Sequence, residues 1–344
     1  MLCASCRRRS IILTESNGLD PSDILSVLYN ARSQYVSGEY LSQCLNISRT
    51  AVWKRINALK KEGYEIVAST KKGYCLTDSD LPYGKLAITK GLSTKVIGHN
   101  IEFHNEVDST NSVLKQLASQ GAPEGTVVIA DSQTKGRGRL GRSWLSAPGK
   151  GIWMSLLLRP KLHPESIQVL TLAAAVAVTK ALERFELPDT GIKWPNDILI
   201  KDKKVCGILT ELSAEADRIS WVIIGIGLNV NHLDFPEEIK DLATSVRAQT
   251  DPDKLFDRST LASSIINNFE VIYNKFVEYG SGPVIEQWKQ YNITLGKRVK
   301  LFSQDGAYII GTATDIMPDG RLVIKKDDGV LEYILSGEIS LREI

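Results

Sequence analysis

Apolar positions repeat at helical spacing at Ile24, Val27, Leu28 and Ala31, just after an Asp20-Pro21 pair that suits a helix start. A second short helix fits Gly38 to Leu45. Ser48 can cap a third, Arg49 to Lys61, whose buried stripe is Val52, Ile56 and Leu59 and whose stop is Gly63. Two β-like runs follow, Tyr64 to Thr70 and Tyr74 to Leu76, joined at Lys71-Lys72-Gly73. Helices and hairpin in this order predict a winged helix-turn-helix over residues 19–77, preceded by a loose tail over 1–18.

The polar stretch Thr77 to Tyr83, with Asp78, Ser79, Asp80 and Pro82, breaks both periodicities and predicts a linker at 78–84. Beyond it the pattern predicts a helix at Ser112 to Gln120, strands at Thr126 to Ala130 and Ile152 to Leu158, and a helix at Ser166 to Phe185. Strands follow near Ile198 to Ile200, Val205 to Leu212 and Trp221 to Ile226. Adjacent strands with segregated helices indicate an α+β domain at 85–295 rather than strict βαβ winding. The last block, 296–344, holds the short β-rich runs Arg298 to Phe302, Ala307 to Ile316, Arg321 to Lys325 and Val330 to Leu335. Turns such as Asp305-Gly306 and Asp319-Gly320 separate them, as in a small β barrel.

Composition narrows this picture. A chain of 344 residues suits two or three domains of about 100 to 200 residues each. With 43% apolar and 24% charged residues it is not disordered throughout. Forty-two Lys and Arg against 40 Asp and Glu leave a net charge of +2, so the totals do not suggest a polyanion-coating protein. No apolar run is expected to approach the ~18 residues of a bilayer span, since the richest stretches, Met154 to Leu158 and Leu172 to Val178, are short. Arg7 to Arg9 are followed only by Ile11 to Leu13 before Glu15, too little for a signal peptide. No membrane and a cytoplasmic location are expected. Cys3, Cys6, Cys44, Cys75 and Cys206 form an odd set that fits a reducing compartment, with the lone Cys3/Cys6 pair in the tail.

The near-neutral total hides a local excess. Between Ser48 and Lys72 stand seven basic residues (Arg49, Lys54, Arg55, Lys60, Lys61, Lys71, Lys72) against two acids, Glu62 and Glu65. Ser48, Arg49, Thr50, Trp53 and Lys54 occupy the N-terminal half of the third helix, off its apolar stripe, where a recognition helix meets the major groove. Lys71 and Lys72 at the hairpin tip suit phosphate. The plain alternative is a solvated basic face that meets another protein.

Chemistry concentrates in Gln133-Thr134-Lys135-Gly136-Arg137-Gly138-Arg139-Leu140-Gly141-Arg142. Glycines let the backbone close around a ligand, and arginine forks suit carboxylate and phosphate. The GxxxxGK[ST] nucleotide motif is absent, and although Gly136, Gly138 and Gly141 stand at the bare GxGxxG spacing, that spacing alone is a weak signal. Next comes Gly191-Ile192-Lys193-Trp194-Pro195-Asn196-Asp197, then Lys204-Val205-Cys206-Gly207-Ile208-Leu209-Thr210-Glu211. Asp197 suits a hydrated Mg2+ on a polyphosphate, and Lys193 and Lys204 suit nearby anions; a hairpin with a capping Asp and snorkelling lysines is the bland reading. Asp108-Ser109-Thr110-Asn111, placed before a helix, is by default an N-cap.

In order, these segments (STN, QxxGRGRxGRxW, KWPND, KxxGIL and the GxGxN of Gly225 to Asn229) resemble the bifunctional biotin protein ligases that also repress the biotin operon. The resemblance runs from about Asp20 onward, with Leu140 standing where some members carry another arginine. It implies a winged helix, a class II synthetase-like catalytic domain with a mixed sheet, and an SH3-like β barrel. It also implies activation of biotin with ATP and Mg2+ to biotinyl-5'-AMP, then transfer to a lysine of a biotin carboxyl carrier domain. By this resemblance Lys193, Arg137 and Arg139 are catalytic. Ser109, Thr110, Asn111, Gln133, Arg137, Gly138, Arg139 and Lys204 bind biotin, and Trp144 shields the site. Arg139, Asn196 and Asn229 meet the nucleotide, and Asp197 the metal. The adenylate orders the Gly136 to Gly141 loop and favours a homodimer, which meets operator DNA through its winged helices. His99, His104, His163, His232 and the cysteines need no catalytic role. Two alternatives stay open: a lipoate-type ligase, and a ligand-sensing transcription factor without turnover.

Overall fold

The computed structural model describes residues 24–31, 34–61, 63–77, 82–215, 218–302, 308–335 and 338–340. The expected helix start at Asp20-Pro21, the tail with Cys3 and Cys6, most of the linker and the Asp305-Gly306 turn lie outside them.

The chain divides into two compact units, the first ending at Lys90. Its elements are α1 (Ile24–Asn30), α2 (Gly38–Cys44), α3 (Arg49–Lys61), the antiparallel hairpin β1 (Ile66–Ser69) and β2 (Gly73–Leu76), and α4 (Lys85–Lys90). Ser37 caps α2 by accepting from the Tyr40 N–H at 3.0 Å, and Ser48 caps α3 through Ala51 N–H at 3.1 Å. Gly63, at φ +94°, ends α3 as the pattern predicts, and the Tyr64 N–H returns to the Leu59 carbonyl. Val52 and Ile56 are buried with Leu28, Leu41, Ile66 and Leu76, with Leu59 packed against them. Leu86 of α4 joins this core, so the N-terminal unit continues past the expected linker at 78–84. The wing is shorter than expected because only Ile66–Ser69 and Gly73–Leu76 pair.

The second unit holds β3 (Asn100–Val107), α5 (Thr110–Ser119), β4 (Thr126–Gln133), β5 (Gly151–Leu158), α6 (Ile167–Leu182), β6 (Thr190–Lys193), β7 (Asp197–Ile200), β8 (Lys203–Glu215) and β9 (Arg218–Asn229). These strands form one seven-stranded sheet in the order β3-β4-β5-β9-β8-β7-β6, parallel only between β3 and β4. The mixed sheet is the α+β arrangement expected. Strand β5 is buried along its whole length, as an apolar run interrupted only by Ser155 suggests. One expectation needs correction: the 22-residue stretch Pro164–Phe185 is long and apolar enough to cross a bilayer. It is instead core, since nearly every residue of α6 from Val169 to Leu182 is buried. Helices α7 (Val246–Gln249), α8 (Arg258–Tyr279) and α9 (Gly282–Tyr291) follow, α8 and α9 both packing on α6.

The C-terminal strands β10 (Arg298–Phe302), β11 (Tyr308–Ile316), β12 (Leu322–Lys325), β13 (Leu331–Ile334) and β14 (Glu338–Ser340) form a small antiparallel sheet ordered β13-β12-β11-β10-β14. It is stitched to the larger sheet. The Ile293 N–H donates to Ile192 O at 3.0 Å, the Trp194 N–H to Thr294 Oγ1 at 2.9 Å, and the Trp194 indole to Gly320 O at 3.0 Å.

Candidate active site and nucleic-acid interface

A cavity of about 260 Å3 opens on the face made by β5, β9, β8 and β7. Its floor is glycine. Gly225 lies opposite Leu209, and Gly227 opposite Gly207. A Cβ at Gly225 would come within 2.3 Å of Asn111 Oδ1, and one at Gly227 within 2.5 Å of Trp144 Nε1. The GxGxN wording therefore has a steric cause: two side chains lie directly on the backbone, two residues and roughly 7 Å apart along one face. Asn111 marks one end and Trp144 the other.

At the first end stands a cluster of hydroxyls and amides. Ser109 is the residue before α5 but its side chain caps nothing, and Thr110 and Asn111 begin the helix. The helix starts two residues earlier than predicted, so the default N-cap reading of this segment fails. The Thr110 N–H donates to Gln133 Oε1 at 2.8 Å, the Thr110 hydroxyl lies 3.2 Å from the same oxygen, and Gln133 Nε2 donates to Ser146 Oγ at 2.8 Å. Ser155 Oγ, fully buried in the middle of β5, lies 2.7 Å from Thr110 Oγ1 and 2.5 Å from Asn111 Oδ1. Asn111 Nδ2 donates to Glu211 Oε2 at 2.7 Å.

The other end is charged. Lys204 Nζ lies 2.7 Å from Asp197 Oδ1 and 5.1 Å over the Trp144 ring, while Trp144 Nε1 is buried without a hydrogen-bond partner. Arg139 donates to Asn196 Oδ1 at 3.0 Å, and Asn196 Nδ2 to Ile208 O at 2.9 Å, which ties the arginine loop to the turn between β6 and β7. That turn contains a cis Trp194-Pro195 bond. Arg137 donates to Ser112 Oγ. Lys193, Gly138 and Asn229 complete the lining, Asn229 being held by a 3.1 Å bond from Nδ2 to Thr244 O. Leu140 adopts φ 55° and is 56% exposed, an uncommon backbone for a leucine. Burial pushes the Cys206 thiol up, which keeps it protonated and unreactive.

Every residue expected around biotin, nucleotide or metal thus lines this one cavity. Sequence reasoning missed Ser155, Ser146, Ser112 and Glu211. Ser155 left a readable trace, a lone hydroxyl inside the apolar run Ile152 to Leu158; the others left none.

In the N-terminal unit Ser48, Arg49, Thr50, Trp53 and Lys54 are all exposed on α3, and Lys71 and Lys72 are exposed at the hairpin tip. Trp53 is 57% exposed on the same face. Lys72 Nζ lies 5.6 Å over the Tyr35 ring.

Three family models match the chain: an HTH domain at residues 22–75, the biotin/lipoate A/B protein ligase family at 104–229, and the biotin protein ligase C terminal domain at 294–342. The bifunctional ligase/repressor BirA of Bacillus subtilis is 42% identical over 321 residues, 93% of this chain and 98% of that protein. The chain belongs to the bifunctional biotin ligase/repressor family. Another member of this family, BirA of Escherichia coli K12, is 28% identical over 322 residues, 94% of this chain and 97% of that one. Among solved structures, the biotin protein ligase of Aquifex aeolicus in complex with biotin and ATP superposes with a TM-score of 0.61 at 36% identity, covering 71% of this chain and 99% of that one. The HTH match covers the basic helix and hairpin, and the ligase match covers the arginine loop.

Proposed function

We propose that the protein activates biotin with ATP to biotinyl-5'-AMP, transfers the biotinyl group to a lysine of a carboxylase carrier domain, and represses biotin synthesis genes as an adenylate-loaded dimer on operator DNA. The observation that carries this reading is the two-ended cavity: an amide and hydroxyl cluster suited to a ureido ring, set beside arginines and lysines suited to a carboxylate and a triphosphate. Lipoate has no ureido ring to satisfy that cluster, which favours biotin.

A free carboxylate is a poor acyl donor. In the first step its oxygen attacks the α-phosphorus of ATP and pyrophosphate leaves; in the second, the carrier's lysine amine attacks the acyl carbon and AMP leaves. Repulsion between carboxylate and triphosphate opposes the first step, and Arg137, Arg139 and Lys193 offset it by fixed charge. Lys204 stands near the acyl end and Trp144 shields it from water. Asn196 and Asn229 would meet the nucleotide. Asp197 is the one carboxylate lining the cavity among the described residues, which fits Mg2+, an ion usually held by one or two carboxylates plus substrate phosphates. When bound there the ion would neutralise charge on the departing pyrophosphate.

In the N-terminal unit, Arg49, Thr50, Trp53 and Lys54 would enter the major groove, Ser48 would sit at the helix start beside the backbone, and Lys71 and Lys72 would grip phosphate. A carrier domain and an operator as partners support a cytoplasmic location. The test is incubation with ATP, Mg2+, labelled biotin and a carrier domain, followed by a gel shift on the upstream region of a biotin operon. Label on the carrier and a biotin-dependent shift are expected; no label overturns the ligase reading, and a shift indifferent to biotin overturns the sensing.

A further inference from the structure

The amide and hydroxyl end of the cavity is fixed from behind by a side chain that does not line it. Glu211, on β8, accepts from Asn111 Nδ2 at 2.7 Å through Oε2 and from Lys115 Nζ at 2.6 Å through Oε1. An ionised carboxylate has no proton to give. Asn111 must therefore turn its NH2 toward Glu211, which leaves its carbonyl facing Ser155 Oγ at 2.5 Å. Ser155 has a single proton, and Asn111 Oδ1 can only accept it. The 2.7 Å contact between Ser155 Oγ and Thr110 Oγ1 then takes the Thr110 proton, so the Thr110 hydroxyl donates to Ser155 while its backbone N–H serves Gln133 Oε1 at 2.8 Å. One charge thus sets the sense of donation through the whole cluster.

We propose that Glu211 is a positioning residue for biotin: it locks the Asn111 amide in one orientation and so fixes the pattern of donors and acceptors offered to the ureido ring. This rests on the biotin reading above. Burial opposes the charged form of Glu211, but hydrogen bonds from Lys115 and Asn111, with the charges of Lys115 and Arg137, outweigh it and hold its pKa below the usual carboxylate range. A neutral glutamine in its place can donate or accept, so both orientations of Asn111 become available and the pattern blurs.

The test is biotin-dependent exchange of pyrophosphate into ATP by the full chain. Glu211→Gln should raise KM for biotin about tenfold, the effect of one misplaced buried hydrogen bond, with KM for ATP and kcat changed by less than about twofold. In an Asn111→Ala background the same change should move biotin KM by less than about twofold, because Glu211 acts through Asn111. Glu211→Asp, which keeps an acceptor-only group, should lie nearer the wild type. Should Glu211→Gln not fold, Glu211→Asp against Glu211→Asn gives the same contrast. Unchanged biotin KM, an equal rise in both KM values, or additivity with Asn111→Ala overturns the inference while exchange by the wild type stands. Absence of exchange in the wild type overturns the biotin reading, and this inference with it.

Discussion

The two basic regions of this protein differ in how their charges are held. On α3 and the hairpin tip, Arg49, Lys54, Lys71 and Lys72 stand exposed on a frame whose packing ends at Val52, Ile56 and Ile66. In the cavity, Arg137 is held by Ser112, Arg139 by Asn196 and Lys204 by Asp197. Exposed cations act through a field that salt screens over about 8–10 Å, and tolerate any polyanion of suitable spacing. Cations already oriented by neighbours lose little freedom on binding and favour one anion in one place. On the proposed reading, the same residue types serve a salt-sensitive reader in one unit and a fixed charge template in the other.

The largest test of that contrast is removal of a template cation. Lys193→Ala or Arg139→Ala should lower pyrophosphate exchange by about 10^2- to 10^3-fold while leaving non-specific DNA affinity unchanged. Wild-type exchange in both variants would break the comparison. Next comes the floor: Gly225→Ala places a methyl group against Asn111 and should weaken biotin binding, by calorimetry, roughly tenfold or more. On the exposed side, Lys71→Ala should weaken binding evenly across DNA sequences and flatten the slope of log K against log salt by about 0.9 if one phosphate contact is lost. An unchanged slope would remove the wing from the contact set.

The smallest effect concerns acid. His232 is buried and stacked on Phe235, a cavity-lining residue, at 4.9 Å, and burial, with the charge of Lys150 adding to it, pushes its pKa down to about 4. An unfolded histidine takes up its proton near pH 6.5. Between these values the unfolded state binds the extra proton, so stability should fall as pH drops from about 6.5 toward 4. His232→Phe should remove that part of the decline in melting temperature. Parallel declines in the two proteins would refute it.

Much of this was legible beforehand, and the gaps have physical causes. The α3 stripe, its Ser48 cap and Gly63 stop were readable because each is a local rule obeyed locally. The glycine, arginine and KWPND segments were readable by their wording, but their convergence depends on the pairing of β7, β8 and β9, which no window of sequence contains. Helices α8 and α9 and edge strand β3 were not predicted, although α8 carries local signals, an Asp257 cap, a stripe of Leu261, Ile265, Phe269, Ile272 and Phe276, and a Gly280 stop. Thr110 and Asn111 were ambiguous taken alone: small polar residues at a helix start usually serve the backbone, and here Gln133, Ser155 and Glu211 engage them instead.

The stitching behind the β6–β7 turn has a consequence for how the molecule is made. Lys193, Asn196 and Asp197 ride on a turn whose backbone and indole are held by Ile293, Thr294 and Gly320. A ribosome delivers those three residues long after α3 and the hairpin have emerged. The reader is therefore complete early in synthesis and the charge template only late. A chain halted after residue 290 would lack the clasp behind Lys193, and with it the adenylate that the operator-bound dimer is proposed to need, so shortened products are expected to be neither enzymes nor repressors.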